Sequence, residues 1–251
     1  MVWEPLDNQR VVFGDCQILM DGLESESVDM IIADPPYDYK SYKAGGSVAP
    51  SNSCKDKGKM SYGDKVAVLD YETWMRRCHR ILKPGHSMLV FEHPSTMGKL
   101  IPAILNSGFR VHWTCVLHVT DRQPVSSLAG GRVWSKHDVM IWCVKGDEPT
   151  LFHGWPTPKD VYSSGQVSSL SGPCKGFPGK KPVKLLTQWI QWLSPEGGLV
   201  LDPFLGSGST LKAAWICGRK GLGFEIEEQR RDIITDRLKA GQKRLDLTKW
   251  C

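Results

Sequence analysis

Apolar positions along this chain fall into two alternating patterns, short runs without alternation and longer stretches at helical spacing, and their order predicts an α/β fold. Val11 to Phe13 is a β-branched and aromatic run closed by Gly14-Asp15, so it reads as a strand with an acid at its carboxyl end. Ile18 to Leu23 follows as a short helix. Val28 to Ala33 is the next strand, apolar throughout apart from Asp29, as expected of a parallel strand covered on both faces. The periodicity then predicts a helix over Tyr71 to Leu82, stopped by Lys83-Pro84-Gly85, and a strand over Ser87 to Phe91. A helix from Ser95 to Asn106 carries Pro102 inside it, which predicts a kink. Arg110 to Thr120 and Asp138 to Val144 read as two strands paired in a hairpin. Val183 to Leu193 is a helix opening after Lys181-Pro182, Leu199 to Leu201 a strand, and the stretch after it a helix to Cys217. Gly221 to Phe224 is a further strand ended by Glu225, and Ile226 to Ala240 the last helix.

Three stretches carry no hydrophobic period. Residues 38–69 are a basic loop in which Lys40, Lys43, Lys55, Lys57, Lys59 and Lys65 face only Asp38, Asp56 and Asp64. That length in a compact domain marks a functional loop or disorder, and its composition suits a flap over a phosphate backbone. Residues 121–136 and 145–179 are rich in Gly, Pro and Ser and read as loops on one rim. With no clean boundary and no internal repeat, residues 1–251 are read as a single domain. The tail after Gly241 is polar and is expected to fray.

Composition changes this picture little. Hydrophobic content of 41% and charged content of 24% suit a soluble globular domain and exclude global disorder. The net charge of +5 leans towards a polyanionic partner without establishing one. Ten tryptophans read chiefly as core and interface material. Eight cysteines, at 16, 54, 78, 115, 143, 174, 217 and 251, form no C-x-x-C pair and no cluster at zinc spacing, so free thiols in a reducing compartment are expected and no metal is. Met1 to Arg10 has no apolar core of signal-peptide length, and no apolar run is long enough to span a bilayer. The expectation is a cytoplasmic protein without a membrane partner.

Chemistry concentrates at two places. Asp34-Pro35-Pro36-Tyr37 follows a strand directly, at the end where open α/β sheets bind ligands. The prolines fix φ and carry no N–H, so the turn cannot satisfy its own carbonyls. Asp34 and the Pro35 carbonyl are then two acceptors beside the stacking face of Tyr37, an edge suited to a planar ring bearing an amine. An ordinary sharp turn is the bland alternative. Far down the chain, Asp202-Pro203-Phe204-Leu205-Gly206-Ser207-Gly208-Ser209-Thr210 joins a strand to a helix. Its glycines let backbone approach a ligand and the helix amides meet an anionic group. Glu225 ends the next strand about 20 residues on, where an acid holds ribose hydroxyls. This unit binds a nucleoside, and by itself does not separate a dinucleotide from S-adenosylmethionine.

Taken together, the Asp34 tetrapeptide and the Asp202 to Gly208 motif, in that order, resemble the amino-methylating DNA methyltransferases of the circularly permuted β group. The likeness extends to Gly14-Asp15, the Leu82 to Gly85 turn, the Lys181-Pro182 helix start and Gly223-Phe224-Glu225. The chain departs from the family pattern at Gly179-Lys180, where a polar pair including glutamine is more usual, and at Ser209, commonly threonine. The two loops at 121–136 and 145–179, the candidates for target recognition and DNA contact, are short for that task.

The resemblance implies a Rossmann-like S-adenosylmethionine-dependent methyltransferase fold, a mostly parallel twisted sheet with helices on both faces. It places the strands ending at Asp34 and Leu201 side by side. It implies that Asp34, Pro35, Pro36 and Tyr37 act on an extruded base of double-stranded DNA, localising the amine lone pair for in-line attack on the sulfonium methyl. Asp34 takes up the proton shed by the methylated nitrogen. The implied cofactor set is Asp15 at the adenine, Glu225 at the ribose, Phe204, Gly206, Ser207, Gly208 and Ser209 on the methionine side and Lys181 near the carboxylate, with Cys16, Asp34, Asp202, Pro203 and Thr210 also among the cofactor contacts. Each has a bland counterpart: Asp15 and Glu225 as strand-end caps, Phe204 as core, Lys181 as a solvated lysine. Aspartate at the head of the tetrapeptide favours the N6 amine of adenine in this family, with the N4 amine of cytosine as the alternative. A nicotinamide-dependent oxidoreductase would leave Asp34 to Tyr37 idle, and a DNA-binding protein without turnover would need none of these groups intact. A second copy of the chain and a cognate restriction endonuclease are partners the resemblance brings with it.

Overall fold

The computed structural model describes residues 2–36, 69–94, 96–121, 136–153, 157–165 and 180–240. Tyr37, Ser95, Gly179, most of the 38–69 loop, the middle of 121–136, much of 145–179 and the tail lie outside the described residues.

In chain order the strands are β1 (Val2–Leu6), β2 (Gln9–Phe13), β3 (Val28–Ala33), β4 (Leu82–Glu92), β5 (Arg110–Val119), β6 (His137–Val144), β7 (Val161–Ser164), β8 (Leu199–Asp202) and β9 (Lys220–Glu225). The helices are α1 (Cys16–Asp21), α2 (Tyr71–Ile81), α3 (Met97–Asn106), α4 (Val183–Leu193), α5 (Ser209–Ile216) and α6 (Arg231–Lys239), with a 3-10 turn over Glu228–Arg230. The strands make one sheet in the order β1-β2-β9-β8-β3-β4-β6-β5-β7. Pairing is parallel from β2 across to β4, and β6 runs antiparallel between β4 and β5.

β3 explains how the sheet is covered. All six of its residues are buried, and they alternate between two cores. Ile31 and Ala33 join Cys16, Met20, Trp74, Met75, Cys78 and Ile104 from α1, α2 and α3. Met30 and Ile32 join Leu185, Leu186, Trp189, Ile190, Ala213 and Ala214 from α4 and α5 on the opposite face. The hairpin of β5 and β6 forms as its pattern predicts. Part of the tryptophan content is core: Trp142 packs edge-on to Trp189, at 5.6 Å between ring centroids. Among the described residues no helix is long and apolar enough to cross a membrane.

Four features depart from the sequence expectation. β1 and β7 occupy the two edges of the sheet and went unrecognised. An edge strand is paired on one side only and stays partly wet, so it needs no apolar run to announce it. β4 begins at Leu82 and runs through Lys83-Pro84-Gly85 with a shift in its register against β3, so the turn residues mark a bulge in place of a gap. The last helix begins at Arg231, after the 3-10 turn, because the Glu225 carboxylate accepts the Glu227 N–H at 2.9 Å and holds that stretch away from helical geometry. α1 starts at Cys16, two residues early, because Asp15 caps it.

At the opposite, amino-terminal edge of the sheet the polar exception in β3 is resolved. Asp29 is buried, accepts from Lys83 Nζ at 2.6 Å and from the Leu199 N–H at 2.8 Å, and lies 3.5 Å from His86 Nε2. It ties β3 to β4 and to the start of β8.

Candidate active site at the carboxyl edge

β3 and β8 are hydrogen-bonded neighbours, with Met30 opposite Val200 and Ile31 opposite Leu201. The chain leaves β3 towards β4 on one side and returns in β8 on the other, so the carboxyl ends of β3 and β8 flank the crevice where the winding reverses. Asp34 and the turn at 202–210 therefore open side by side.

On the β8 side, Asp202 is buried and its Oδ1 accepts the Phe204 N–H at 3.0 Å. Burial pushes its carboxyl up to about 7, with the charges of Asp34 and Glu225 adding to the rise and hydrogen bonds from Thr210 and the Phe204 N–H opposing it. Phe204 packs edge-on against Trp74, at 5.1 Å between centroids, which holds its ring at the mouth of the turn. Gly206 and Gly208 have φ of +54° and +82°, and Gly208 caps α5 in the left-handed region. That conformation bends the chain from strand to helix within a few residues. A Cβ at Gly223, on the neighbouring strand, would lie 2.7 Å from Leu205 Cδ2, so the turn lies directly on β9. Ser207 Oγ and Ser209 Oγ are 3.2 Å apart, and Arg237 Nη2 donates to Ser209 Oγ at 2.8 Å.

Glu225 ends β9 as the sequence predicts, and burial raises its carboxyl above the ordinary value while the Arg230 charge opposes the rise. Its Oε2 accepts the Gly206 N–H at 2.8 Å and Arg230 Nη1 at 3.1 Å. This carboxylate fixes the glycine turn to β9. One strand further on, the Gly14 N–H donates to the Glu225 carbonyl at 2.9 Å, which brings the end of β2 beside it. Asp15 is exposed and caps α1, its Oδ1 accepting the Gln17 N–H at 2.8 Å. Cys16 is buried, and desolvation raises its thiol to about 12, so it presents shape and not a thiolate.

On the β3 side, Asp34 is half-buried and Pro35 buried. Lys181 Nζ donates to Asp34 Oδ2 at 2.6 Å and lies 5.0 Å from the centroid of the Phe91 ring. The lysine expected near the cofactor carboxylate donates to Asp34. An ammonium has three N–H donors, so this contact leaves it able to serve a second acceptor.

Asp15, Asp34, Asp202 and Glu225 accordingly come to one edge, with Lys181 and the turn at 203–210. Sequence reasoning missed Trp74 behind Phe204, Arg230 on Glu225, and Glu92, which ends β4 fully buried. Glu92 had the same signature that marked Asp15 and Glu225, an acid at the close of an apolar strand. Among the described residues no group of His, Cys, Asp and Glu side chains could hold a metal ion.

Against known proteins, a family model described as DNA methylase, of the N6/N4 type, matches residues 28–236. The type II methyltransferase M.HinfI of Haemophilus influenzae is 29% identical, covering 91% of this chain and 68% of its own. The type II methyltransferase M.BamHI of Bacillus amyloliquefaciens is 28% identical, and the chain spans only 58% of its length. Among solved structures, the cytosine-N4-specific PvuII DNA methyltransferase superposes with a TM-score of 0.71 at 18% identity, over 94% of this chain and 88% of that one. M1.HpyAVI, solved as a complex with S-adenosylmethionine, superposes with a TM-score of 0.64 at 21% identity, over 91% of this chain and 98% of that one.

Proposed function

The chain belongs to the N6/N4 DNA methylase family, with its S-adenosylmethionine-dependent methyltransferase fold, and from that premise we propose that it methylates the N6 amine of adenine in double-stranded DNA. The observation that carries the methyl-transfer reading is the parallel pairing of β3 with β8, which opens Asp34 and the glycine turn onto one crevice.

The site fits S-adenosylmethionine. Glycines at positive φ bring backbone close to a ligand, buried Asp202 and Glu225 suit a donor with cationic groups, and half-buried Phe204 offers an apolar side. When bound, the cofactor supplies an electrophilic methyl group on a sulfonium. We assign the turn at 203–210 and Asp202 to its methionine portion, Glu225 to its ribose, Asp15 and Cys16 to its adenine, and Lys181 to its carboxylate.

The remaining work falls to the tetrapeptide. An aromatic amine is a poor nucleophile because its lone pair is shared with the ring. Asp34 and the Pro35 carbonyl accept its two N–H bonds, which draws the nitrogen towards tetrahedral geometry and localises that pair. Tyr37 is the stacking face for a base taken out of the duplex, and Pro36 keeps the turn rigid. Asp34 then takes the proton that the methylated nitrogen sheds. The aspartate at position 34, in place of serine, is what favours adenine over the N4 amine of cytosine.

The test is to incubate the protein with methyl-labelled S-adenosylmethionine and mixed-sequence duplex DNA, digest to nucleosides and separate them. N6-methyldeoxyadenosine is expected; N4-methyldeoxycytidine would move the assignment to cytosine, and unlabelled DNA would end it. The same products, mapped by sequencing, give the recognition site. A second copy of the chain and a cognate restriction endonuclease complete the proposed partners, and sizing by light scattering reports the first of these.

Asp202 adds a pH-linked expectation. An acid whose folded pKa is raised keeps its proton between about 4 and 7, so its contribution to the unliganded fold is lost as pH rises through that window. A cation bound beside it favours the carboxylate and expels the proton. Cofactor binding near pH 7 should therefore release roughly half a proton per site, falling to none by about pH 9. Calorimetry in buffers of different ionisation enthalpy measures this directly.

A further inference from the structure

We propose that Glu92 is a positioning residue for methyl transfer, a buried carboxylate that keeps the acceptor side of the crevice anionic after Lys181 has neutralised Asp34. This rests on the methyltransferase reading of the site and adds to it a group that the tetrapeptide does not contain.

Ala33 of β3 lies opposite Val90 of β4, so Asp34 emerges level with Phe91 and Pro35 level with Glu92. Lys181 confirms the proximity, since one ammonium reaches both Asp34, at 2.6 Å, and the face of Phe91. Glu92 has no solvent exposure, and it is built in from three sides. Oε1 accepts Thr96 Oγ1 at 2.5 Å and the His93 N–H at 2.8 Å, and Oε2 accepts Tyr71 Oη at 3.2 Å. Burial raises the Glu92 pKa above the ordinary value and the like charge on Asp34 adds to the rise, while the three donors aimed at the carboxylate oppose it in favour of the ionised form. A protein that needed only packing here would place an apolar side chain.

As the methyl group moves, positive charge leaves the sulfonium above β8 and arrives on the amine beside β3. Asp34 stabilises that charge, but Lys181, shared between Asp34 and the cofactor carboxylate, offsets part of its field at the amine. A second carboxylate on β4, on the far side of Asp34 from the cofactor, restores a negative potential where the charge arrives. The groups around Glu92 are Asp34 after β3, Lys181 before α4, Tyr71 at the head of α2, and His93 and Thr96 after β4. Of these Asp34 is an acid, Lys181 a base, His93 an imidazole and Tyr71 a phenol.

Glu92→Gln keeps the shape and removes the charge. It is expected to lower kcat about tenfold, with cofactor Kd unchanged and the acid limb of the kcat profile displaced to lower pH. Tyr71→Phe keeps the charge but removes one donor, so the acid limb should move the other way. In the unliganded protein, the titration of Glu92 followed by carboxyl-carbon NMR should shift to lower pH in Asp34→Asn, a readout independent of turnover and of whether Glu92→Gln folds. Wild-type kinetics in Glu92→Gln, a loss of thermal stability with the pH profile unmoved, or a Glu92 titration indifferent to Asp34→Asn would each overturn the proposal. A wild-type protein that fails to methylate DNA would instead remove the premise, and the titration would still report the coupling.

Discussion

Asp34→Ala is expected to lower methyl transfer by on the order of 10³-fold while cofactor affinity stays within a few-fold of wild type. The two quantities separate because the carboxylate stands on β3 and the glycine turn on β8. In the proposed mechanism Asp34 touches the amine and receives its proton, whereas the turn at 203–210 is held by its own contacts: the Asp202 Oδ1 bond to the Phe204 N–H, the Glu225 bond to the Gly206 N–H, and Trp74 behind Phe204. Those contacts are independent of the Asp34 side chain. The substitution also strips Lys181 of its partner and leaves an ammonium in the acceptor pocket, where it repels the cationic nitrogen that forms there. Asp34→Asn, which keeps one carbonyl acceptor and no charge, should fall between the two. Single-turnover rates and calorimetric Kd, taken on the same preparations, decide the matter. Loss of cofactor binding with turnover intact would contradict the role given to this carboxylate.

The second large effect lies at the far edge of the sheet and bears on folding alone. Asp29→Ala should destabilise the protein by about 3 kcal/mol near neutral pH, because it removes a buried carboxylate and orphans the Leu199 N–H and the Lys83 ammonium. Lys83 is partly exposed and regains water, which keeps the loss below that of a wholly buried pair. Burial by itself would raise the pKa of Asp29. The hydrogen bonds from His86, Lys83 and the Leu199 N–H outweigh it and hold the carboxyl well below its usual range. A depressed folded pKa contributes stability that is fully present above the unfolded value of about 4 and is lost as pH falls below it. The gap between wild type and variant, measured by urea unfolding, should therefore be widest at neutral pH and narrow steadily under acid. The carboxyl-edge chemistry should survive in the fraction that folds, since Asp29 lies at the opposite end of β3 from Asp34.

Glu92, Asp34, Lys181 and Asp202 make one electrostatic system at the carboxyl edge. In the proposed mechanism Asp202 and Glu225 suit the crevice to a cationic donor, Asp34 to an amine, and Glu92 to the charge that passes between them. Arg230 is paired with Glu225 and Lys181 with Asp34. A variant that changes any one charge should therefore alter the pH dependence of the others, and double substitutions in this group are not expected to be additive.

How much of this was legible beforehand follows from what each residue has to do. Strands covered on both faces must be apolar throughout, so β3, β6 and β9 declare themselves in the sequence, and so do helices such as α2 and α4 with a stripe facing the core. The Asp34 tetrapeptide and the glycine turn were legible because their backbone chemistry allows few substitutes: prolines without N–H, and glycines at positive φ. Edge strands β1 and β7 escaped because a strand paired on one side carries no comparable demand. Chain order alone could determine that an acid closes several apolar runs. It could not determine that Lys181, far along the chain, lies on Asp34, or that Glu92 stands one strand over beneath Tyr71 and Thr96. Those pairings depend on strand order and register, which arise from packing the whole sheet, and electrostatic partners are chosen by distance in space where sequence records only distance along the chain.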